Sequence, residues 1–271
     1  MASEENRVAS SRVLTADQRR EFEETGLLHL PGAIPEEHTR EMCDRLWEEL
    51  ATRYQIRRVA PETWKEGQIF ALHGPERAGA FATMASATLC QALDDLFAPY
   101  GWQRPARWGS PLVNFPFRQH QWDVPHANWH LDIFGELGLQ PVLEEVTVFA
   151  FLDTLLPEAG ATVAVTGSHR LVQELSAGRK SKLRSKEGRK LLEQSHAWLK
   201  DLLSAGTGEA RKQRFMHDGS VVRGIPLRVV EIIGAPGDVV VMHPAILHTA
   251  AANCGTTPRL ALRQGIQRGR H

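Results

Sequence analysis

The sequence predicts a mainly β fold with helices at its front and one helical interruption, on three observations. The first third carries apolar residues at helical spacing. From Trp108 onward, short runs rich in β-branched and aromatic residues alternate with turns bearing glycine and proline. Helices come first and strands later, so the alternation that builds a parallel sheet is missing and an antiparallel sandwich or barrel is expected.

The elements follow in order. Residues 1–12 read as a polar arm. Thr15 and Gln18 form the capping box of a short helix ending at Gly26, and LLHL is a strand. Pro35 suits the first turn of a second helix, which packs Met42, Leu46, Trp47, Leu50, Ala51 and Tyr54 inward. A third helix covers 86–98 with Leu89, Leu93, Leu96 and Phe97 on its buried side. SPLVNFPF, ANWHLDIF, EVTVFAFLD and TVAVT are strands, the last after the turn PEAGA; LRVVEII, DVVVM, ILHTAAAN and RLALRQGI resume the pattern. Residues 170–220 interrupt it. Arg170, Arg179, Lys180, Lys182, Arg184, Lys186, Arg189 and Lys190 make a basic run there, followed by a helical stripe of Leu191, Leu192, Trp198, Leu202 and Leu203. A solvated face explains such a run; so does a lid that attracts an acidic substrate or carrier. The expected organisation is one domain over 1–271: a mainly helical part (13–107), strands (108–169 and 221–267), and the basic insertion (170–220), possible lid included.

Composition narrows the class. The 271 residues carry a formal net charge of zero, are 42% hydrophobic and 24% charged. That is neither a disordered chain nor a globally basic nucleic-acid binder. Cys43, Cys90 and Cys254 are scattered and form neither a disulfide framework nor a zinc ribbon. The start has no apolar signal region and no stretch is long enough to span a membrane, so a cytoplasmic protein is expected, bound neither to nucleic acid nor to membrane. Its oligomeric state stays open.

The chemistry centres on NWHLDIF. On a strand, His130 and Asp132 share a face while Leu131 takes the other. A buried carboxylate needs a partner, and a metal, a hydrogen bond or a salt bridge would serve. With 12 histidines and 32 acidic residues, about one such pair arises by chance, so a third ligand is required. His243 and His248 are the candidates. His243 sits at a turn before Pro244, whereas His248 opens an apolar run and faces inward with the small Ala250 and Ala252, so His248 is preferred. Two histidines and one carboxylate leave coordination positions open, the facial set of non-haem Fe(II) oxygenases, although zinc accepts the same donors. Arg259, on RLALRQ, is expected to pair back against the His248 strand, where its fork could hold a carboxylate; a surface cation is the ordinary alternative.

These residues resemble the phytanoyl-CoA dioxygenase-like Fe(II)/2-oxoglutarate oxygenases over most of the chain. LTADQRREFEETGLLHLPGAIPEE is similar to that family's amino-terminal helix, strand and helix. NWHLD matches its H-x-D strand, PEAGATVAVTGSHR its strand and turn ending in Gly-Ser-His, and GDVVVMHPAILHTAAANCGTTPRLAL its distal-histidine segment, with Arg259 eleven residues after His248. The resemblance implies a double-stranded β-helix (jelly roll) with N-terminal helices and a helical insertion. It implies that His130, Asp132 and His248 hold Fe(II), and that Arg259 grips the far carboxylate of 2-oxoglutarate, O2 being the oxidant. Thr162 matches a family cosubstrate contact; Asn128 stands where many members have glutamine, and Asn114 on the preceding strand is a further candidate. Many relatives carry serine where this chain has Ala250, so another hydroxyl, with Thr249 the candidate, would serve the outer carboxylate. Halogenating cousins replace the aspartate with a small residue, so Asp132 favours oxygen chemistry. His169 is expected to brace its turn. Trp122 and His126 are candidates for the substrate cavity, although as core or rim residues they need no such role. Arg57, Arg58 and Trp64 suit an anionic substrate but are equally ordinary surface or packing residues.

The implied activity is hydroxylation of an unactivated C–H of a small organic molecule, with release of succinate and CO2. Two alternatives remain: a jelly-roll metal enzyme using the triad as a Lewis acid for hydrolysis or isomerisation, and a non-catalytic metal-binding module. Arg259 separates the first reading from both, since neither needs an anchor for a distant carboxylate.

Overall fold

The computed structural model describes residues 13–70, 72–117, 121–133, 143–177 and 183–269. The expected polar arm (1–12), Phe134 of the expected metal strand, and Arg179, Lys180 and Lys182 of the basic run lie outside the described residues. The chain opens with helix α1 (Ala16–Thr25), whose Thr15–Gln18 capping box is formed and whose end is closed by Gly26 in the left-handed conformation. Strand β1 (Leu27–Leu30) leads to α2 (Glu36–Tyr54), then β2 (Gly67–Ile69), α3 (His73–Arg77) and α4 (Ala87–Phe97). Strands β3 (Ser110–Phe115), β4 (Glu145–Phe151) and β5 (Thr162–Thr166) precede four helices: α5 (Ser168–Ser176), α6 (Ser185–Ser195), α7 (Ala197–Leu202) and α8 (Glu209–Lys212). The chain returns to strands β6 (Ser220–Val222), β7 (Ile225–Ile232), β8 (Val239–Met242), β9 (His248–Ala250) and β10 (Arg259–Gln267).

Among the described residues these strands form two antiparallel sheets, one of order β1-β8-β4-β10-β3-β2 and one of order β6-β7-β5-β9. Mainly β with flanking helices, this is the jelly roll. Helices α2 and α4 cover the first sheet, and α5–α7 cover the second. Period-two alternation sorts the side chains. On β4, Val146, Val148 and Ala150 join the helix-side core while Phe149 and Phe151 point between the sheets. On β10, Leu260 and Leu262 face the helices, so Arg259, Ala261 and Arg263 share the inter-sheet face. Covered on both sides, β4 is buried throughout, which accounts for the apolar run from Val148 to Phe151.

Several expectations change in detail. Pro35 precedes α2 as its N-cap instead of lying in its first turn. Ala51 is exposed and Leu96 only half-buried. Residues 127–133 are no regular strand. One bridge, His130 to His248, ties them to β9, with backbone hydrogen bonds of 2.9 and 3.0 Å in the two directions. Leu131, expected to point outward, is buried against the insertion helices, because those helices cover what would otherwise be the solvent face. β10 pairs with β3 and β4, and not with the His248 strand: the expected partners lie on opposite sheets.

Candidate metal centre

His130, Asp132 and His248 offer donor atoms that all lie within 4.8 Å of one another. His130 Nε2 is 3.7 Å from Asp132 Oδ1, and His248 Nε2 is 3.6 Å from Asp132 Oδ2. Each imidazole is oriented from behind. His130 Nδ1 lies 2.8 Å from the Asn128 carbonyl and His248 Nδ1 lies 3.0 Å from that of Ile246. A carbonyl only accepts, so both Nδ1 atoms carry the proton and both Nε2 lone pairs face the centre. Burial pushes the His248 pKa down to about 4 despite the Asp132 carboxylate, which keeps the ring neutral, the state a metal ligand requires.

Asp132 has a support that the sequence reading missed. Arg263 Nη2 donates to its Oδ2 at 2.6 Å and Thr147 Oγ1 donates to the same oxygen at 3.0 Å. Burial alone would raise the carboxyl; His248, then the charge and hydrogen bond of Arg263, then Thr147 hold it below its ordinary value. With His248 neutral at pH 7, Arg263 and Thr147 are what remain. The available signal was periodicity: Arg263 lies four residues after Arg259 on the same strand face.

Arg259 lies on the same inter-sheet face. Its guanidinium is buried, donating from Nη1 to the Gly160 carbonyl at 3.1 Å and from Nη2 to Thr162 Oγ1 at 3.0 Å. Neither acceptor is charged, and among the described residues the buried Nε has no partner. Burial pushes its pKa down to about 10, so it stays cationic at neutral pH. Asn114 is its register partner across β10–β3; its Nδ2 donates to Ala251 O, while its buried Oδ1 has no partner among the described residues. The triad, Arg259, Thr162 and Asn114 all line one cavity of about 670 Å³. A buried, unneutralised guanidinium at one part of such a cavity and a three-donor cluster at another fit a metal and a bidentate organic acid.

Other expected residues are placed differently. Asn128 adopts φ 60° and lines a second, larger cavity, so its link to the centre is its carbonyl on His130. Thr249 Oγ1 donates to Ala127 O, which leaves Thr162 as the hydroxyl at Arg259. Trp122 is buried in the core beneath the insertion, with the Lys212 ammonium over its ring, and His126 is exposed; neither lines either cavity that His130 borders. The β-sheet cover drew Trp122 inward, as its size favours. His243 stacks on His169 with ring centroids 4.8 Å apart and takes no part in the triad. His169 Nε2 lies 3.1 Å from Glu23 O, bracing the Gly167–His169 turn against α1. Arg58 pairs with Asp44, and Trp64 packs on Trp47 and Phe115.

A family profile for phytanoyl-CoA dioxygenase (PhyH) matches residues 22–261. The chain belongs to the phytanoyl-CoA dioxygenase family. Several solved structures share the fold of this one at low identity. The non-haem α-ketoglutarate-dependent epimerase SnoN from nogalamycin biosynthesis is 15% identical, with a TM-score of 0.54 over 93% of this chain and 81% of its own. HygX from Streptomyces hygroscopicus, with nickel and 2-oxoglutarate bound, is 16% identical, with a TM-score of 0.53 over 94% and 88%. EctD from S. alaskensis in its apo form is 15% identical, with a TM-score of 0.54 over 94% and 77%. A comparison with curated proteins finds no match. Among the described residues, no helix of this phytanoyl-CoA dioxygenase family member is long and apolar enough to cross a membrane.

Proposed function

We propose that this protein is an Fe(II)- and 2-oxoglutarate-dependent oxygenase that hydroxylates an unactivated C–H of a small organic molecule, releasing succinate and CO2. The observation that carries the reading is Arg259: a buried guanidinium with no anionic partner among the described residues, in the same cavity as the triad. Family membership and the 2-oxoglutarate named with SnoN and HygX support it. His130, Asp132 and His248 would hold the iron, which with 2-oxoglutarate supplies the oxidising power for C–H chemistry.

The chain's own work is binding and orientation. Arg259 Nη1, Nη2 and the unused Nε present a fork for the outer carboxylate, with Thr162 fixing its plane and Asn114 beside it. The carbonyls of Asn128 and Ile246 hold the Nδ1 protons and so keep both Nε2 atoms available. Ile69, Leu72, Leu112 and Phe149 give the cavity an apolar wall that would limit water at the reacting carbon. Retention of Asp132 favours hydroxylation over halide transfer, because a carboxylate occupies the position a halide would need.

The test is calorimetric binding of 2-oxoglutarate together with succinate formation. Arg259→Ala should weaken 2-oxoglutarate by about 2 kcal/mol, roughly thirtyfold, through loss of the charge-assisted fork. Arg259→Lys, which keeps the charge and loses the fork, should fall between. Unchanged affinity in Arg259→Ala would remove the reading's main support and leave Lewis-acid chemistry at the triad.

A further inference from the structure

His130 borders two cavities. The second, of about 1480 Å³, runs along helices α6 and α7, and its walls carry Lys186, Arg189, Lys190 and Lys200. On α6, positions 186, 189, 190 and 193 fall on one helical face, so the three cations and Glu193 all look into the groove. Arg189 pairs with Glu193 at 3.8 Å. Lys186, Lys190 and Lys200 are exposed and, among the described residues, have no acidic partner. Three uncompensated ammonium groups therefore line a groove that opens on a metal-triad residue.

The helix bearing them is fixed to the triad segment. Ser185 Oγ donates to Leu131 O at 2.6 Å and accepts from Leu131 N at 3.3 Å, so the first residue of α6 is tied to the residue between His130 and Asp132. Gly188 continues that contact: a Cβ there would overlap the Leu131 side chain, so the absence of one lets the helix lie directly on this segment. At 1.5 Å per residue, Lys190 lies only about 8 Å along the helix axis from Ser185. A solvated basic face needs neither this anchoring nor this proximity.

We propose that the groove seats a negatively charged group of the primary substrate, an oxyanion carried within a few bonds of the carbon that reacts. The proposal builds on the oxygenase reading and adds the substrate class: a compact organic anion, with its apolar portion turned past His130 toward the smaller cavity. A charge held at the end of a long flexible arm would pass beyond Lys186 and Lys190. The lysines bind and orient; none touches the reacting atoms.

The experiment uses the full chain loaded anaerobically with Fe(II) and 2-oxoglutarate and titrates phenyl phosphate, benzoate and benzyl alcohol by calorimetry. We expect phenyl phosphate to bind, more weakly as ionic strength rises, and its Kd to increase at least about tenfold in the variant K186Q/K190Q/K200Q. Benzoate following the same dependence extends the class to carboxylates; benzoate failing to bind restricts it to phosphates. Benzyl alcohol binding as tightly as phenyl phosphate, or phenyl phosphate binding equally well to the triple variant, overturns the proposal. So does phenyl phosphate binding that disappears when the metal is withheld or is displaced by excess 2-oxoglutarate, because the anion would then sit at the triad or at Arg259. Affinity for 2-oxoglutarate, read in the same samples, should be identical in the triple variant. Its absence from wild-type protein would sink the oxygenase reading while leaving the lysine dependence measurable on its own.

Discussion

Thr147 and Arg263 meet on one oxygen of Asp132, which leaves Oδ1 as the freer donor. Thr147→Val removes one hydrogen bond without changing volume, so the carboxylate should lose orientation while the core stays filled. Metal affinity, measured by anaerobic titration, is expected to weaken about tenfold with little change in melting temperature. A large drop in stability with unchanged metal affinity would show that Thr147 serves the sheet instead. Legibility at this scale was uneven. His130, Asp132 and His248 lie together as their spacing suggests, whereas Arg259 and Thr162 stand out with the help of the family resemblance. Arg263 does not, because an arginine on a strand reads as a surface cation until the facing segment, here the irregular stretch bearing Asp132, supplies a carboxylate. Trp122 misled in the opposite sense: chain proximity to the triad suggested the cavity, but its bulk was needed in the core.

Elements were read well where the signal is local. The Thr15–Gln18 box, the apolar stripe of α2 and the alternating strands rest on neighbours within a few residues, and apart from the exposed Ala51 they stand as expected. Two errors came from long-range facts. Residues 127–133 have strand composition, yet Asn128 at φ 60° and the Trp129 Nε1 bond to Pro125 O coil the backbone before it reaches His130. Pairing of β10 with β9 was inferred from sequence adjacency, but in a jelly roll successive strands cross between sheets. One turn invites a direct check. Gly167 joins β5 to α5 at φ 76°, and a Cβ there would collide with the Pro226 carbonyl oxygen. Backbone cannot step aside as a side-chain tip can, so Gly167→Ala should lower stability by about 1–2 kcal/mol or more in urea melts. An unchanged midpoint would mean that the turn relaxes freely.

At the scale of the whole molecule, His169 and His243 are stacked where α1, α5 and the end of β8 meet. Burial pushes His169 down to about 4 from an ordinary 6.5, against the opposing pull of the Glu23 carbonyl, and pushes His243 down as well, helped by its neighbour. A folded-state pKa below the unfolded one means that the fold favours the neutral ring. The stabilisation is complete above about pH 6.5 and is lost as pH falls toward 4, where for His169 it amounts to something on the order of 3 kcal/mol. Chemical denaturation at a series of pH values should show this acid-side slope, and His169→Gln should flatten it; identical slopes would assign the loss elsewhere. Exposure also differs across the triad itself: the His130 side chain is 50% exposed and that of His248 only 5%. An ion held there can be reached through the doorway beside His130, on the side of the lysine-lined groove, as well as from the smaller cavity. Stripping by a chelator should therefore be fast in the resting protein and slower once a guest fills that doorway, making retention of the ion a reporter of occupancy independent of turnover.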